Sequence, residues 1–188
     1  GTGGQADIPI AIRPAGFGAA TFNYRIVNGR PSFESIQGLA GEVPGDQTVP
    51  RAEAWSATTM LSRVHPTAVS RLGIDASYVV NGFSKRRSLE KGKNGDIWSL
   101  FFAILDLRSA EIGAAKITSH LEDIALEAIE ADAAYICDII GNALADESAA
   151  IAAKWLRPND EDSEKVNQIN KTAFLICIRL AFVQARIW

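Results

Sequence analysis

Residues 69–83, which read VSRLGIDASYVVNGF, decide the fold class of this chain. Val69 to Ile74 predicts a short apolar strand, and Ala76 to Phe83 predicts a short helix directly after it. Asp75 lies at the junction of the two elements. It is either the N-cap of the helix or a ligand-binding side chain, because open α/β sheets bind ligands at the carboxyl ends of their strands. The spacing alone leaves both interpretations open.

Strands and helices alternate on both sides of this stretch. Toward the N-terminus, the sequence predicts strands at Gly16–Tyr24 and Ser32–Gly38 joined by a turn at Asn28 and Gly29. A helix begins at Pro50, a residue favoured at helix starts. Toward the C-terminus, the predicted elements are a charged loop at Ser84–Gly95, a helix at Asp96–Leu107, a strand at Glu111–Thr118, and helices at Leu121–Glu130 and Ile139–Leu156. This alternation indicates a mixed α/β sheet.

The composition is that of an ordinary globular protein. Of the 188 residues, 47% are hydrophobic and 22% are charged, with a net charge of -3. A chain without overall positive charge binds nucleic acid only through a local basic patch. No stretch reaches the ~18 uninterrupted apolar residues that a membrane span requires. No secretory signal is visible either, so we expect an intracellular protein with no membrane partner and with its compartment unknown.

The sequence argues against a zinc site. Cys137 and Cys177 both lie in apolar, helix-like stretches, which favours buried free thiols over a disulfide. The chain has only two histidines, and no Cys/His pair has the spacing of zinc ligands.

Three carboxylates lie where they can hold a hard cation. Glu53 is one turn into the helix that begins at Pro50, Asp75 closes a strand, and Asp146 lies within a later helix. Acidic side chains gathered from separate elements hold Mg²⁺, which prefers oxygen ligands. Taken singly, an Asp or Glu on a helix surface is usually solvated and without function. The sequence around each carboxylate therefore decides its interpretation.

Five short blocks surround these residues in a fixed order. They are Gln47–Glu53 (QTVPRAE), Asp75–Phe83 (DASYVVNGF), Asn94–Trp98 (NGDIW), Lys116–His120 (KITSH) and Gly141–Asp146 (GNALAD). In this order and spacing they resemble the ribonuclease H type 1 family, in particular the ribonuclease H domains of eukaryotic retroelement-like sequences. The resemblance covers residues 2–155.

The resemblance implies a ribonuclease H-like fold, with a five-stranded mixed sheet flanked by helices. It also implies endonucleolytic hydrolysis of the RNA strand of RNA·DNA hybrids, in which two Mg²⁺ (or Mn²⁺) ions stabilise the attacking and leaving oxygens. Matched position by position, Glu53, Asp75 and Asp146 are implied to be catalytic metal ligands. His120 is implied to assist proton transfer or product release, which suits a side chain that titrates near neutral pH. Without the resemblance, His120 is typical of an exposed loop histidine.

The chain departs from the family at its N-terminus. The family opens with a strand leading into Thr-Asp-Gly, whose Asp bridges both metals, whereas here Thr2 or the gap after it stands at that place. The start at Gly1 therefore predicts a fragment or processed piece with a truncated first strand. A neutral hydroxyl cannot replace a bridging carboxylate, and Asp7 lies five residues further on. We expect hydrolysis to be weak or lost. The alternative is a non-catalytic nucleic-acid-binding or scaffold module with the same fold.

A basic cluster is the predicted binding surface for the hybrid. Residues 85–93 carry five positive charges against one negative charge, where the resemblance places a basic substrate-binding protrusion. Such side chains neutralise phosphates, although a solvated surface loop is the alternative interpretation. The predicted substrate-binding residues are Lys85, Arg86, Arg87, Ser77 and Asn81.

The chain divides into three predicted segments. They are a ribonuclease H-like domain at residues 1–156, an acidic linker at residues 157–163 and a C-terminal amphipathic helix at residues 164–188. Apolar residues recur along this helix at steps of three and four: Val166, Ile169, Ala173, Ile176, Leu180 and Val183. A helix that is apolar on several sides must bury itself. It packs on its own domain, on a partner helix or on the rest of a parent polyprotein.

Overall fold

The computed structural model describes residues 8–9, 12–28, 30–118 and 133–184. In chain order, its elements are β1 (Gly16–Val27), β2 (Arg30–Glu42), α1 (Val49–Arg63), β3 (Ser70–Ile74), α2 (Ser77–Gly82), α3 (Arg86–Glu90), α4 (Gly95–Asp106), β4 (Ile112–Lys116), α5 (Ala133–Trp155) and α6 (Asp160–Gln184). The predicted alternation of strands and helices is confirmed for the described residues, and the charged loop also contains a short helix, α3. The predicted helix at Leu121–Glu130 lies outside the described residues.

The predicted hairpin is confirmed, with both strands longer than expected. β1 and β2 are antiparallel from Gly16 opposite Glu42 to Val27 opposite Arg30. Asn28 has φ of 52°, in the left-handed region that Asn enters more readily than most residues. Gly29 lies outside the described residues.

The predicted five-stranded sheet is not formed by the described residues. Their four strands make two separate two-stranded sheets, β1–β2 antiparallel and β3–β4 parallel, with Ser70 opposite Ile112. β1 and β3 line the same cleft, and no strand among the described residues hydrogen-bonds with both of them to join the two sheets. The structure confirms the mixed α/β class, but the described strands form two sheets instead of one.

Helices α1 and α5 lie on opposite faces of both β1 and β3. In β1, Ala19 packs with Met60 of α1. A Cβ placed on the neighbouring Gly18 would lie 2.0 Å from the carbonyl oxygen of Ala145 in α5, so this residue faces the other helix. Successive side chains of a strand alternate between its two faces, so the neighbouring residues Gly18 and Ala19 face different helices.

β3 lies between the same two helices. Leu72 joins Met60 of α1 in one buried cluster. Arg71, one residue earlier, donates two hydrogen bonds to the Asp138 carboxylate of α5, at 2.6 and 2.9 Å. Each strand is therefore covered by α1 on one face and by α5 on the other.

The main core lies between α1 and α4. Trp98, Phe101 and Phe102 of α4 are fully buried against α1 and α2. Trp98 and Phe101 meet edge to face with ring centroids 5.5 Å apart, a favourable aromatic geometry. A Cβ on Gly82 would lie 2.6 Å from the Trp98 ring, so close packing explains the glycine of the DASYVVNGF block.

The last helix, α6, begins within the predicted acidic linker. Asn159 precedes it, and its side-chain oxygen accepts a hydrogen bond from the Asp162 N–H at 2.7 Å. Asp160, Glu161 and Asp162 form its first turn, where the helix dipole favours negative charge. The linker is therefore confined to residues 157–159 in the structure.

Packing of the C-terminal helix on its own domain is not seen among the described residues. Side chains 167–180 are all exposed, and Ile169 and Phe174 are 65% and 66% exposed. Both cysteines are free thiols, but Cys137 is buried whereas Cys177, on this helix, is exposed. No helix in the described ranges is both long enough and apolar enough to cross a membrane.

Candidate functional site

The three predicted carboxylates line one cleft. The cleft, of about 1030 Å³, lies between β1 and β3 and is also lined by α1 and α5. Glu53 comes from α1, Asp75 follows β3 directly, and Asp146 comes from α5. Residues separated by more than 90 positions in sequence thus reach one concave surface.

Glu53 and Asp75 are close enough to influence each other's charge. Burial raises the pKa of Glu53 above the ordinary Glu value, and the negative charge of Asp75 raises it further. A hydrogen bond with the Tyr78 side chain acts in the opposite direction and favours the ionised form. Two carboxylates that repel each other in a half-buried site favour the binding of a cation between them.

Tyr78 connects the start of α1 to Glu53. Its hydroxyl, which has a single proton to donate, contacts both the carbonyl oxygen of Pro50 and the Glu53 carboxylate. Burial, followed by the charge of Glu53, raises the pKa of Tyr78, so the phenol stays protonated. Tyr78 is 37% exposed and acts as a polar contact of Glu53. In the sequence, the position of Tyr78 three residues after Asp75 was the signal that could have placed it near the site.

Asp146 enters the cleft from α5. The buried Asn142, one helical turn earlier, donates a hydrogen bond from its side-chain nitrogen to Asp146 Oδ2 at 3.1 Å. Side chains at this spacing lie on the same face of a helix, so Asn142 restrains the carboxylate. This contact accounts for the Asn of the GNALAD block.

The donor set suits Mg²⁺ in part. All three side chains offer carboxylate oxygens, and Mg²⁺ in proteins keeps several waters while one or two carboxylates bind it. Glu53 and Asp75 meet that requirement. However, no three His, Cys, Asp or Glu side chains come within joint metal-binding reach in the part of the chain that the structure describes. Asp146 thus shares the cleft with the pair without joining it in one ligand cluster.

The solution structure of the PFV RNase H domain is similar to this chain. The two share 13% sequence identity with a TM-score of 0.44, over 75% of this chain and 95% of that chain. No family model matches this chain, and no curated protein matches it.

The other predicted site residues do not line this cleft. Ser77 and Asn81 are exposed on α2, and Lys85 and Arg87 are exposed at α3, but none of them contributes to the cleft wall. His120 lies outside the described residues. The three carboxylates thus line one cleft, whereas Lys85 and Arg87 of the basic cluster are not part of its wall.

Arg86 has a structural role within the basic cluster. It forms ion pairs with Glu90 at 3.1 Å and with Asp106 at 2.8 Å, and its guanidinium lies 5.2 Å from the centroid of the Phe102 ring. The hydrogen bonds that Arg86 donates, first to Asp106 and then to Glu90, raise the pKa of Arg86. These contacts attach α3 to α4, so Arg86 is less available for phosphates than Arg87.

Charge reversal at Arg87 tests the basic cluster without disturbing these contacts. We expect Arg87→Glu to weaken binding to an RNA·DNA hybrid and to lower the slope of log Kd against log salt by about 1. Fluorescence anisotropy with a labelled hybrid over a range of KCl measures both. Lys154→Glu, at an exposed position of α5 outside the cleft, is the matched control. An unchanged slope in Arg87→Glu would remove α3 from the binding surface.

An unpredicted ion pair joins two of the sequence blocks. Arg51, which is 8% exposed, donates to the Asp96 carboxylate through both terminal nitrogens, at 2.9 and 2.5 Å. It also donates to Asn94 Oδ1 at 3.3 Å. The QTVPRAE and NGDIW blocks therefore meet in space, and Arg51 fixes the start of α1, one turn before Glu53. Arg51 and Asp96 both lie within the blocks that resemble the family, but nothing in the sequence indicates that they form an ion pair.

Proposed function

We propose that this chain is a divalent-metal-dependent nucleic-acid hydrolase of the ribonuclease H type, with the RNA strand of RNA·DNA hybrids as its substrate. One observation carries the proposal. A single cleft is lined by the carboxylates of three sequence blocks that resemble the family, although they come from three different parts of the fold: Glu53, Asp75 and Asp146.

Glu53 and Asp75 would hold Mg²⁺ or Mn²⁺, with Asp146 facing them across the cleft. Bound there, two such ions supply charge stabilisation for the attacking and leaving oxygens of an in-line displacement. Tyr78 orients the Glu53 carboxylate by hydrogen bonding, and Asn142 does the same for Asp146. His120 would move a proton near the leaving group, as the resemblance implies.

The activity we propose is slow. The bridging Asp of the family has no counterpart at Thr2, and the described residues do not gather three ligands at one point. Loss of a bridging ligand reduces the precision with which metals stabilise transition-state charge.

The missing bridging carboxylate at Thr2 and the lack of a three-ligand cluster among the described residues favour a second candidate function, a non-catalytic nucleic-acid-binding or scaffold module. In that case the exposed basic residues of α3 would bind the hybrid, and the cleft would bind metal weakly or not at all. The two candidates differ in whether the hybrid is cleaved, whereas both predict that it is bound.

Cleavage of an end-labelled RNA·DNA hybrid in Mg²⁺ and in Mn²⁺ separates them. We expect slow cutting of the RNA strand by the parent chain and none by Glu53→Gln, which keeps the shape of the side chain and removes its charge. Thr2→Asp, which restores a carboxylate at the family position, is expected to cut faster than the parent.

Glu42→Gln is the matched control for Glu53→Gln, because Glu42 is exposed at the end of β2 and does not line the cleft. Binding of the hybrid without cleavage in every variant would favour the non-catalytic module. Absence of both binding and cleavage would contradict both candidates.

A further inference from the structure

Ser88 lies in the middle of the basic cluster, on the outer side of α3. It is exposed, and its hydroxyl has no hydrogen-bond partner among the described residues. An α-helix turns by about 100° per residue, so Ser88 and Arg86 point to nearly opposite sides of α3. Because Arg86 is bound to Asp106 of α4, the Ser88 hydroxyl faces away from the rest of the domain. It is therefore accessible to another molecule.

The segment around Ser88 carries an excess of positive charge. Four of its side chains are exposed cations without an ion pair among the described residues: Lys85, Arg87, Lys91 and Lys93. Lys85 and Lys91 lie three residues before and after Ser88, so they share its side of the helical turn. The one acidic residue of the segment, Glu90, is bound by Arg86. A negatively charged group on Ser88 would therefore be attracted by its neighbours.

The order of residues around Ser88 suits one class of enzyme. Lys85, Arg86 and Arg87 directly precede the serine, and the apolar Leu89 follows it. Protein kinases distinguish their substrates by charge patterns of this kind. A kinase with acidic side chains in its peptide-binding groove selects a serine that follows several cations, because opposite charges guide the encounter and fix the register of the bound segment.

Ser84, four residues earlier, is exposed but lacks these features. Its hydroxyl donates a hydrogen bond to the Asn81 carbonyl at 3.1 Å, and the residues directly before it are uncharged. The two serines thus differ in the partner of the hydroxyl and in the charge that precedes them, although both are accessible. Ser84 is therefore the matched control for Ser88.

α3 must open locally, because a kinase binds its substrate segment in an extended form. Leu89, half-buried against the main core, and the ion pairs of Arg86 attach α3 to the domain. The Arg86 side chain is 46% exposed, and exposed ion pairs contribute little to stability. A helix of five residues is also not stable by itself. Segments with such contacts open without unfolding of the whole domain.

We propose that Ser88 is a phosphorylation site for a serine kinase that selects basic residues, and that the phosphate prevents the basic cluster from binding nucleic acid. A new P–O bond joins the γ-phosphorus of ATP to Ser88 Oγ, while the bond from that phosphorus to the β–γ bridging oxygen breaks and ADP leaves. The hydroxyl proton passes to a carboxylate base of the kinase. The modification is independent of the proposed function, whereas its effect on binding rests on it.

The phosphate would weaken binding by neutralising the cluster. A phosphoserine adds a charge of about -2, whereas residues 85–93 carry five positive charges against one negative charge. About half of the positive excess is lost, and charge-assisted hydrogen bonds from Lys85 and Lys91 to the phosphate withdraw both side chains from the nucleic acid. We expect the affinity for an RNA·DNA hybrid to fall roughly tenfold and the slope of log Kd against log salt to fall by about 2.

Phosphorylation is measured first, on the whole chain and without nucleic acid. The probe is the catalytic subunit of cyclic-AMP-dependent protein kinase with ATP, and peptide mass spectrometry locates the phosphate. We expect the parent chain and Ser84→Ala to be phosphorylated at Ser88 to the same extent, and Ser88→Ala to remain unmodified in this segment. Circular dichroism verifies that both variants fold, which is expected because both serines are exposed.

Hybrid binding is measured next, by fluorescence anisotropy over a range of KCl. The phosphorylated parent is compared with the untreated parent, and we expect weaker binding and a lower salt slope, both of which phosphatase treatment reverses. Ser88→Ala, incubated with the same kinase and ATP, is expected to keep the affinity of the untreated parent. This control separates the phosphate on Ser88 from any other effect of the treatment.

Each part of the proposal has its own contradicting result. Absence of phosphate at Ser88, or phosphate on Ser84 in its place, would overturn the modification site. A phosphorylated chain with unchanged affinity and salt slope would overturn the effect on binding. If the untreated parent does not bind the hybrid although Ser88 is phosphorylated, the proposed function is contradicted and the modification site stands.

Discussion

Replacing Asp75 by Asn is expected to lower the affinity of the protein for Mn²⁺ by roughly a hundredfold or more, because even changes behind the metal ligands cost about 10- to 100-fold. Asn keeps the size of the side chain and removes the negative charge that a hard dication requires. Asp75 is close enough to Glu53 to raise its pKa, so the variant also removes half of the carboxylate pair. Isothermal titration with Mn²⁺ measures the loss, and hybrid cleavage is expected to disappear with it.

Asp138→Asn is the control for this prediction. Asp138 lines the same cleft, but its carboxylate is bound by Arg71 at 2.6 and 2.9 Å. We expect this variant to keep an affinity for Mn²⁺ close to that of the parent chain. An unchanged affinity in Asp75→Asn, or an equal loss in both variants, would show that the assigned site is wrong.

The Arg51–Asp96 pair is expected to give the largest polar contribution to stability. Asp96→Ala leaves the Arg51 guanidinium buried without its main partner, which costs about 2 to 3 kcal/mol of unfolding free energy. This loss of unfolding free energy is smaller than that expected for a fully buried pair, because the Asp96 side chain is 64% exposed. Urea denaturation measures the change. Arg25→Ala, which breaks the exposed pair with Glu34, is the control and is expected to cost less than about 1 kcal/mol.

The same pair makes stability depend on pH in the acid range. Hydrogen bonding from Arg51 is the main cause that lowers the pKa of Asp96 below its ordinary value of 3.8. A carboxyl whose pKa is lower in the folded state contributes stability above its unfolded pKa and loses it as the pH falls through the folded pKa. We therefore expect the stability difference between the parent and Asp96→Asn to be constant near neutral pH and to shrink below 3.8. A difference that persists at lower pH would contradict this account of the pair.

Local sequence signals predicted the elements well because they act over short distances. The alternating residues of β1, the turn at Asn28 and the proline at the start of α1 each specify their own element, and the structure contains all three. The position of Asp75 at the exit of β3 followed from the same kind of signal. Placing Glu53 and Asp146 beside it required the family resemblance, because their spacing along the chain does not by itself bring them together.

Long-range pairing could not be predicted from these signals. The five-stranded sheet was expected from the resemblance, whereas the described strands leave β1 and β3 unjoined. Arg86 was predicted to contact the substrate, and nothing in the sequence indicated its ion pair with Asp106, twenty residues away. Residues 157–163 were predicted to be an acidic linker, whereas a helix capped by Asn159 begins at Asp160. In each case the outcome depends on a partner that composition and periodicity do not identify.

The most direct test of the central claim is the location of Mn²⁺ in the parent chain by paramagnetic broadening of its amide NMR signals. We predict that substoichiometric Mn²⁺ removes the signals of Glu53 and Asp75 first and then those around Asp146, and that α3 is unaffected. The acidic first turn of α6, with Asp160, Glu161 and Asp162, is the internal alternative for the cation. Broadening at α6 without broadening at Glu53 and Asp75 would contradict the assignment of the cleft as a metal-dependent site.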